Sequence, residues 1–250
     1  EGGSWIVGGK KYKANAAFSD NIKNAVTSVK VLDTVSHSDD EAVLERYGLS
    51  KDKAYTVTAT DKDGKTIRTL TIGKESTTGS QTYVKVDSGK DIYLVSGSLK
   101  DTFGKSVEDL RSKEVFNFKA DDLTKVAVSV PGNTWSMEKS GEPAVWAVTG
   151  QNAALDDEKV KQWINTLPVL NVQSWKNETD PMPRIAGTTA TLTAGGKDIT
   201  VTVYEIAAAD GKTEYIGTSS ETPYPFTMSK YTADKFCKKL AELEKTEQTK

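Results

Sequence analysis

The chain has 250 residues, of which 36% are hydrophobic and 27% charged, and its formal net charge is −2. This length fits one large domain or two of about 100–150 residues, and the nearly balanced charge argues against nucleic acid or an anionic membrane as the main partner. One cysteine excludes an internal disulfide, and no apolar run reaches the roughly 18 residues of a membrane-spanning helix.

The N-terminal half begins with a tryptophan-containing stretch and an amphipathic helix. The sequence SWIV around Trp5 precedes a segment in which Ile22, Val26 and Val29 recur at i, i+4 and i+7. This spacing places the three side chains on one face of a helix, where they can be buried. Asn15 or Ser19 can cap its N-terminus.

A β-hairpin is predicted after this helix. Val57 and Ala59 alternate with threonines, the sequence DKDGK makes a turn, and the alternation resumes at Ile67. An Asp-Gly pair between alternating β-forming residues is typical of a tight hairpin. Two further strands, TYVKV and DIYLVS, and a helix in SLKDTFGKSVEDL complete the predicted order of this half.

The second half of the chain repeats this order. Trp146 opens it within VWAV, Val160, Ile164 and Leu167 form the helical stripe, and Gly196 lies in the turn of the hairpin TATLTAGGKDITVTVYEI. The strands EYIGT and YPFTMS and the helix KYTADKFCKKLAEL then match the closing elements of the first half. The repeat indicates that two copies of one unit follow each other along the chain.

We therefore predict an α+β fold of two similar lobes that arose by internal duplication. The first lobe spans residues 1–118 and the second 119–250. The alternation of apolar residues with threonines favours a mostly antiparallel sheet with one wet face, and we expect helices to pack against the other face of each sheet.

The second copy has a leading hairpin that the first copy lacks. Val126, Val128 and Val130 alternate as a strand, and Trp135 lies in a partner strand ahead of Trp146, whereas only four residues precede the first tryptophan. We expect that the native protein carries two such strands and a membrane anchor upstream. Without them, the first lobe has an exposed sheet edge, which invites pairing with another chain.

Several segments resemble the DUF4340 family of bacterial domains of unknown function. The most specific are LERYGLS, VTATDKDGKTIRTLTIGK, TYVKVDSGKDIYLVS and DLRSKEVFNFKADDLTKVAVS, and the resemblance extends from Trp5 to about Leu243. It implies a duplicated α+β domain, usually held outside the cytoplasmic membrane by an N-terminal anchor or lipid. Members often accompany ABC-transporter components of the gliding-motility type, and the resemblance carries over no catalytic residues.

Candidate contact residues are aromatic. Trp163 and Trp175 have no aromatic counterpart in the first copy, and Tyr224, Phe226 and Tyr231 lie in the unusual run SSETPYPFTMSKY. These five side chains are candidates for a ligand or partner surface. The alternatives are that the tryptophans fill the core and that the prolines of the run break an edge strand.

No catalytic, cofactor or metal site is expected from the sequence. The single histidine, His37, has no second histidine or cysteine ligand nearby in sequence, and Asp61 and Asp63 begin like a calcium loop but lack its later ligands. The segment around His37 is better explained as the N-terminus of a helix, and the segment of Asp61 and Asp63 as a hairpin turn. Motifs for phosphate loops, dinucleotide binding, serine hydrolases and zinc proteases are absent.

These observations favour a non-enzymatic, extracytoplasmic binding or scaffold protein with a protein partner in the bacterial cell envelope, as an accessory subunit of an ABC-transporter-like complex. Contact with the membrane is expected only through the upstream anchor. The alternative is a hydrolase that acts on envelope polymers through two carboxyl groups brought together in space.

Overall fold

A computed structural model describes residues 12–208 and 211–245, and the chain divides into two compact units, Glu1–Ser112 and Lys113–Lys250. We call them unit 1 and unit 2. Strands make up 42% of the structure and helices 21%, so this is a sheet-rich α+β protein. The segment around Trp5, in which we predicted a strand, lies outside the described residues.

Unit 1 contains one five-stranded antiparallel sheet with strand order β1-β5-β4-β3-β2. Its elements in chain order are α1 (Ala16–Thr27), β1 (Val31–Ser36), α2 (Glu41–Tyr47), β2 (Tyr55–Thr60), β3 (Thr66–Glu75), β4 (Gln81–Val86), β5 (Ile92–Ser96), α3 (Leu99–Phe103) and α4 (Val107–Leu110).

Local sequence explains the boundaries of several of these elements. The Asn15 side chain accepts a hydrogen bond from the Ala17 N–H and caps α1. Gly48 ends α2 in the left-handed conformation, with φ of 68°. The predicted hairpin forms between β2 and β3, and Asp61 Oδ1 accepts from the N–H groups of Asp63 and Lys65 in its turn.

Unit 2 contains an eight-stranded antiparallel sheet and a separate two-stranded one. The large sheet has the order β11-β15-β14-β13-β12-β7-β8-β9, and β10 pairs with β6. The strands are β6 (Glu114–Asn117), β7 (Leu123–Val130), β8 (Asn133–Ser140), β9 (Val145–Val148), β10 (Val169–Asn171), β11 (Ser174–Trp175), β12 (Thr188–Ala194), β13 (Lys197–Ala207), β14 (Thr213–Ser219) and β15 (Thr222–Met228). The helices are α5 (Asp157–Ile164) and α6 (Lys230–Phe236), with 3-10 turns at Ala120–Asp122 and Leu240–Glu242.

The leading hairpin predicted ahead of Trp146 is present as β7 and β8. Val128 lies opposite Trp135 and Val126 opposite Met137, and all four side chains are buried. On its other side β7 pairs with β12, so that the hairpin extends the sheet beyond β12.

The expectation that helices cover one face of each sheet is wrong. In unit 1, α1 packs mainly on α3, and α3, which lies against strands β2, β3 and β4, makes the most extensive helix contact with the sheet. In unit 2, α6 lies against β12 and β13. Because α3 and α6 have only five and seven residues, each is about 10 Å long or less and cannot span a sheet with strands about 4.8 Å apart.

The helix that we predicted at the end of each copy is also interrupted. In unit 1 it divides at Gly104 into α3 and α4, and Ser106 caps the second piece with a capping box. In unit 2 it ends at Phe236, and a 3-10 turn follows. Two indole groups that bind carbonyls at this point, described below, supply the hydrogen bonds that a continuing helix would otherwise make.

Candidate functional site

The candidate site is a groove of about 390 Å³ in unit 2, formed by α5, α6 and the 3-10 turn after α6. We call it the α5–α6 groove. Its lining combines aromatic, charged and amide side chains: Lys159, Gln162, Trp163, Thr166, Tyr231, Asp234, Lys235, Lys238, Glu242 and Leu243.

Trp163 and Trp135 fix the end of α6. Trp163 Nε1 donates to the Lys235 carbonyl at 2.8 Å, and Trp135 Nε1 donates to the Lys238 carbonyl at 3.2 Å. The two rings contact each other at a centroid distance of 5.6 Å, and both residues are buried. Aromatic packing and two hydrogen bonds therefore hold the wall of the groove in place.

Lys235 connects α6 to the end of α5. Its Nζ donates to the carbonyl of Thr166 at 3.0 Å and to that of Val169, and it lies 5.1 Å from the centre of the Phe236 ring. Burial lowers the pKa of the Lys235 amine to about 8. The carbonyls after α5 are thus satisfied by an amine that enters from the other helix.

Charged groups on the rim of the groove are paired with each other. Lys230 Nζ lies 2.8 Å from Asp234, and Lys238 Nζ lies 3.1 Å from Glu242. Burial alone would raise the pKa of Glu242, but its hydrogen bonds with the Lys239 N–H and the Lys238 ammonium outweigh burial and hold this pKa below its usual range. Glu242 is therefore ionised at neutral pH.

Tyr231 stands at the mouth of the groove with 73% of its surface exposed. It is the second residue of α6, which Ser229 caps by accepting from the Thr232 N–H. An aromatic side chain at this exposure, in a groove that also contains paired charges and a buried indole, offers apolar area that the described residues leave uncovered.

The other three aromatic candidates form a separate cluster on strands β11 and β15. The Trp175 ring makes edge-to-face contacts with Tyr224 and Phe226, at centroid distances of 6.5 and 5.9 Å. Phe226 is fully buried, whereas Trp175 and Tyr224 are half-buried. Phe226 thus supports the ring of Trp175 from the core side.

The five aromatic candidates therefore divide between two places. Trp163 and Tyr231 both line the α5–α6 groove, and Trp175, Tyr224 and Phe226 form the cluster at β11 and β15. Sequence reasoning missed Lys235 altogether, because neither of the two lysines of α6 carries a local sign of burial.

Trp146 lines a second cavity of about 320 Å³ in unit 2. It is half-buried on β9, and Val160 and Ile164 of the predicted helical stripe line the same cavity. Because β9 is the last strand of the sheet, no further strand among the described residues covers the outer side of its tryptophan.

In unit 1, His37 is paired with an acid. Its Nδ1 lies 2.8 Å from Asp91 Oδ1, and the Tyr93 hydroxyl donates to Asp91 Oδ2 at 3.2 Å. The bond with His37 is the main cause that lowers the pKa of Asp91. The histidine is exposed over 77% of its side chain, so this is a solvated surface pair.

Within the described residues, no three His, Cys, Asp or Glu side chains are grouped so as to hold a metal ion. In that part of the chain no helix is both long and apolar enough to cross a membrane.

Comparison with known proteins gives one family. The family described as Domain of unknown function (DUF4340) matches residues 5–186, and the chain belongs to it. No curated protein and no solved structure matches the chain.

Proposed function

We propose that this chain is a non-enzymatic binding or scaffold protein of the bacterial cell envelope and that the α5–α6 groove holds its protein partner. In this proposal it is an accessory subunit of an ABC-transporter-like complex and is kept at the membrane by an anchor outside the sequence described. The resemblance in sequence motifs supports the location and the complex.

The composition of the groove is the observation that carries the binding role. A buried indole and an exposed tyrosine lie inside a rim of paired charges. Protein interfaces have this anatomy, in which an aromatic anchor in an apolar centre is surrounded by a polar rim. Tyr231 would insert between apolar side chains of the partner, and the lysines and acids of the rim would set its orientation.

The carboxyl groups give less support to a hydrolase. A general acid needs a carboxyl group whose pKa is raised by an apolar environment. Four carboxyl groups, those of Glu45, Asp52, Asp91 and Glu242, instead have a pKa held below its usual value. Both acids of the groove are also held by lysines.

Internal duplication is part of the proposal, and strand order supports it. Five strands of the large sheet of unit 2 follow the order β11-β15-β14-β13-β12, and unit 1 has β1-β5-β4-β3-β2. In unit 1 the strand β1 pairs with the last strand, β5, and in unit 2 the strand β11 pairs with the last strand, β15. The hairpins β2–β3 and β12–β13 lie at the opposite side of these five strands. Gly64 and Gly196, in the turns of the two hairpins, have φ of 80° and 79°.

Photo-crosslinking in native membranes tests the binding role. A benzoylphenylalanine is placed at Tyr231 in the full-length protein, and at Ile67 in a control, since Ile67 is similarly exposed in unit 1. We expect a discrete crosslinked partner from position 231 and none from position 67. Equal crosslinking from both positions, or none from position 231, contradicts the proposal.

A further inference from the structure

The second cavity of unit 2, of about 320 Å³, is lined by α5, the hairpin of β8 and β9 and the 3-10 turn at Ala120–Asp122. We call it the α5–β9 cavity. Its apolar lining includes the buried side chains of Val160 and Ile164 and the half-buried indole of Trp146. Small-molecule pockets have volumes of about 300–1,000 Å³, so this cavity suits a small ligand.

Helix α5 brings polar groups of three kinds to the cavity. Asp157, Lys161 and Asn165 follow each other at intervals of four residues and therefore lie along one side of the helix. Val160 and Ile164 occupy the neighbouring positions at the same spacing. This side of the cavity thus has a carboxylate, an ammonium group and an amide beside an apolar stripe.

The hairpin and the 3-10 turn add a second group of each sign. Lys139 of β8 lies directly opposite Trp146 of β9 in the antiparallel ladder, and such a pair places both side chains on one face of the sheet. Asp121 of the turn lines the same cavity. Neither Lys139 nor Asp121 has an ion-pair partner among the described residues.

The charges on α5 are also open, whereas a comparable pair nearby is closed. An acid four residues ahead of a lysine is the favourable order for an ion pair along a helix. Asp157 and Lys161 have this order, yet neither has an ion-pair partner among the described residues. On α6, Lys230 and Asp234 have the same spacing and lie 2.8 Å apart. The α5–β9 cavity therefore differs from the α5–α6 groove in leaving its charges available.

The sign of these charges limits the class of ligand. A ligand that enters the cavity takes the place of water at the charged groups, and it must offer them opposite charges or lose their solvation. Two lysines and two aspartates require both signs in one molecule, and the indole requires an apolar group as well. A free amino acid with an apolar side chain combines the three. A neutral sugar could stack on the indole, but it would leave all four charges without a counter-charge.

We propose that the α5–β9 cavity binds a free amino acid with an apolar side chain. In the complex Asp157 accepts hydrogen bonds from the ammonium group, Lys161 donates to the carboxylate, and the apolar side chain packs against Trp146. Asp121 and Lys139 give each charged end of the ligand a second partner. The site is separate from the α5–α6 groove, and the inference does not depend on the proposed function.

A series of related ligands tests the charge requirement. L-Phenylalanine carries both charges, its amide only the ammonium group, and N-acetyl-L-phenylalanine only the carboxylate. In an NMR titration of the ¹⁵N-labelled chain we expect phenylalanine to bind with a Kd of about 1 mM, as its small size allows. The other two should bind about tenfold more weakly, because each leaves protein charges unmatched. No binding of phenylalanine, equal binding of the three, or tighter binding of N-acetylglucosamine overturns the proposal.

Variants of α5 test the two charged contacts. Asp157→Asn and Lys161→Gln each remove one charge from the cavity. Glu158→Gln is the matched control, because Glu158 is exposed on the same helix and does not line the cavity. We expect the Kd of phenylalanine to rise about tenfold in the first two variants and to stay unchanged in the control. Equal effects in all three variants, or none in any, contradict the assigned contacts, and the same spectra show whether each variant is folded.

The indole signals locate the ligand. The N–H signal of Trp146 is identified by its loss in Trp146→Phe, and that of Trp163 by its loss in Trp163→Phe. We expect saturating phenylalanine to shift the Trp146 signal and to leave the Trp163 signal of the α5–α6 groove in place. A shift of the Trp163 signal alone would place the ligand in the groove and overturn the site.

Discussion

Unit 1 and unit 2 contain similar strand orders but differ in how much the sheet is completed. The sheet of unit 2 continues from β12 into β7, β8 and β9, and its core draws on residues of both helices and nearly every strand. Among the described residues, the sheet of unit 1 ends at β2, and its core cluster consists of Leu70, Ile72, Val84, Val95 and Leu99. The additional strands β7, β8 and β9 therefore lengthen the sheet of unit 2 and also supply side chains that pack against its helices.

The largest expected difference between the units concerns the phenylalanine of each closing helix. Phe236 is fully buried, with an edge-on contact to Phe116 at 6.4 Å, whereas Phe103 is half-buried. We expect Phe236→Ala to cost about 3–5 kcal/mol in unit 2 and Phe103→Ala about 1–2 kcal/mol in unit 1. Hydrogen exchange with mass spectrometry in increasing urea reads the two units separately. Equal losses would show that the two cores are equally well packed.

The next effect concerns the indole hydrogen bonds, which only unit 2 has among the described residues. Trp163→Phe removes the bond to the Lys235 carbonyl, and we expect a loss of about 1–3 kcal/mol because a buried acceptor loses its donor. Trp146→Phe is the control, since no described group accepts from its half-buried indole. Urea unfolding followed by tryptophan fluorescence measures both. If Trp146→Phe lowered the free energy of unfolding as much as Trp163→Phe, the loss would come from the smaller ring and not from the missing hydrogen bond.

The turn glycines should behave alike in the two units. Gly64 and Gly196 both have positive φ and open space where a Cβ would be placed. Gly64→Ala and Gly196→Ala should each cost about 1 kcal/mol, because the left-handed conformation strains a side chain. Asparagine tolerates this conformation better, so Gly→Asn at either position should cost less. Costs that differ strongly between the two turns would contradict their equivalence.

The smallest effects are on pH dependence, and they lie on opposite sides of neutral pH. In unit 2, Lys235 holds its proton less well when folded, with a pKa of about 8 against a usual 10.5. The unfolded chain therefore binds more protons between these values, and stability rises as the pH increases from about 8 to 10.5. Carbon-13 NMR of labelled lysine should show one amine that titrates near 8, and Lys235→Arg should remove that signal.

In unit 1 the corresponding effect lies on the acid side. The lowered pKa of Asp91, held chiefly by its bond with His37, contributes stability that is present above its unfolded pKa. This contribution is lost as the pH falls through the lower folded value. His37→Ala should raise the pKa of Asp91 toward its usual range in an NMR titration of the carboxyl carbon. An unchanged pKa of Asp91 in that variant would show that His37 does not control the titration of this carboxyl group.

Sequence reasoning was most successful where a structure depends on neighbouring residues. Short-range patterns predicted the hairpin turns at Gly64 and Gly196, the helix cap at Asn15 and the hairpin of β7 and β8 that contains Trp135. The candidate site was predicted only in part. Trp163 and Tyr231 could be selected as unusual aromatics, but no pattern indicated that they share a groove while Trp175 lies elsewhere.

The sequence by itself determined the α+β class and the positions of the hairpin turns, because periodicity and turn chemistry act within a few residues. Only the tertiary structure decided which sheet edge is covered, where the closing helices stop and which lysine is buried. Helix α6 ends where indoles from α5 and β8 bind the carbonyls of Lys235 and Lys238, and Lys235 loses solvent because α5 lies beside it. Both depend on side chains far away in the chain, whose positions no local pattern contains.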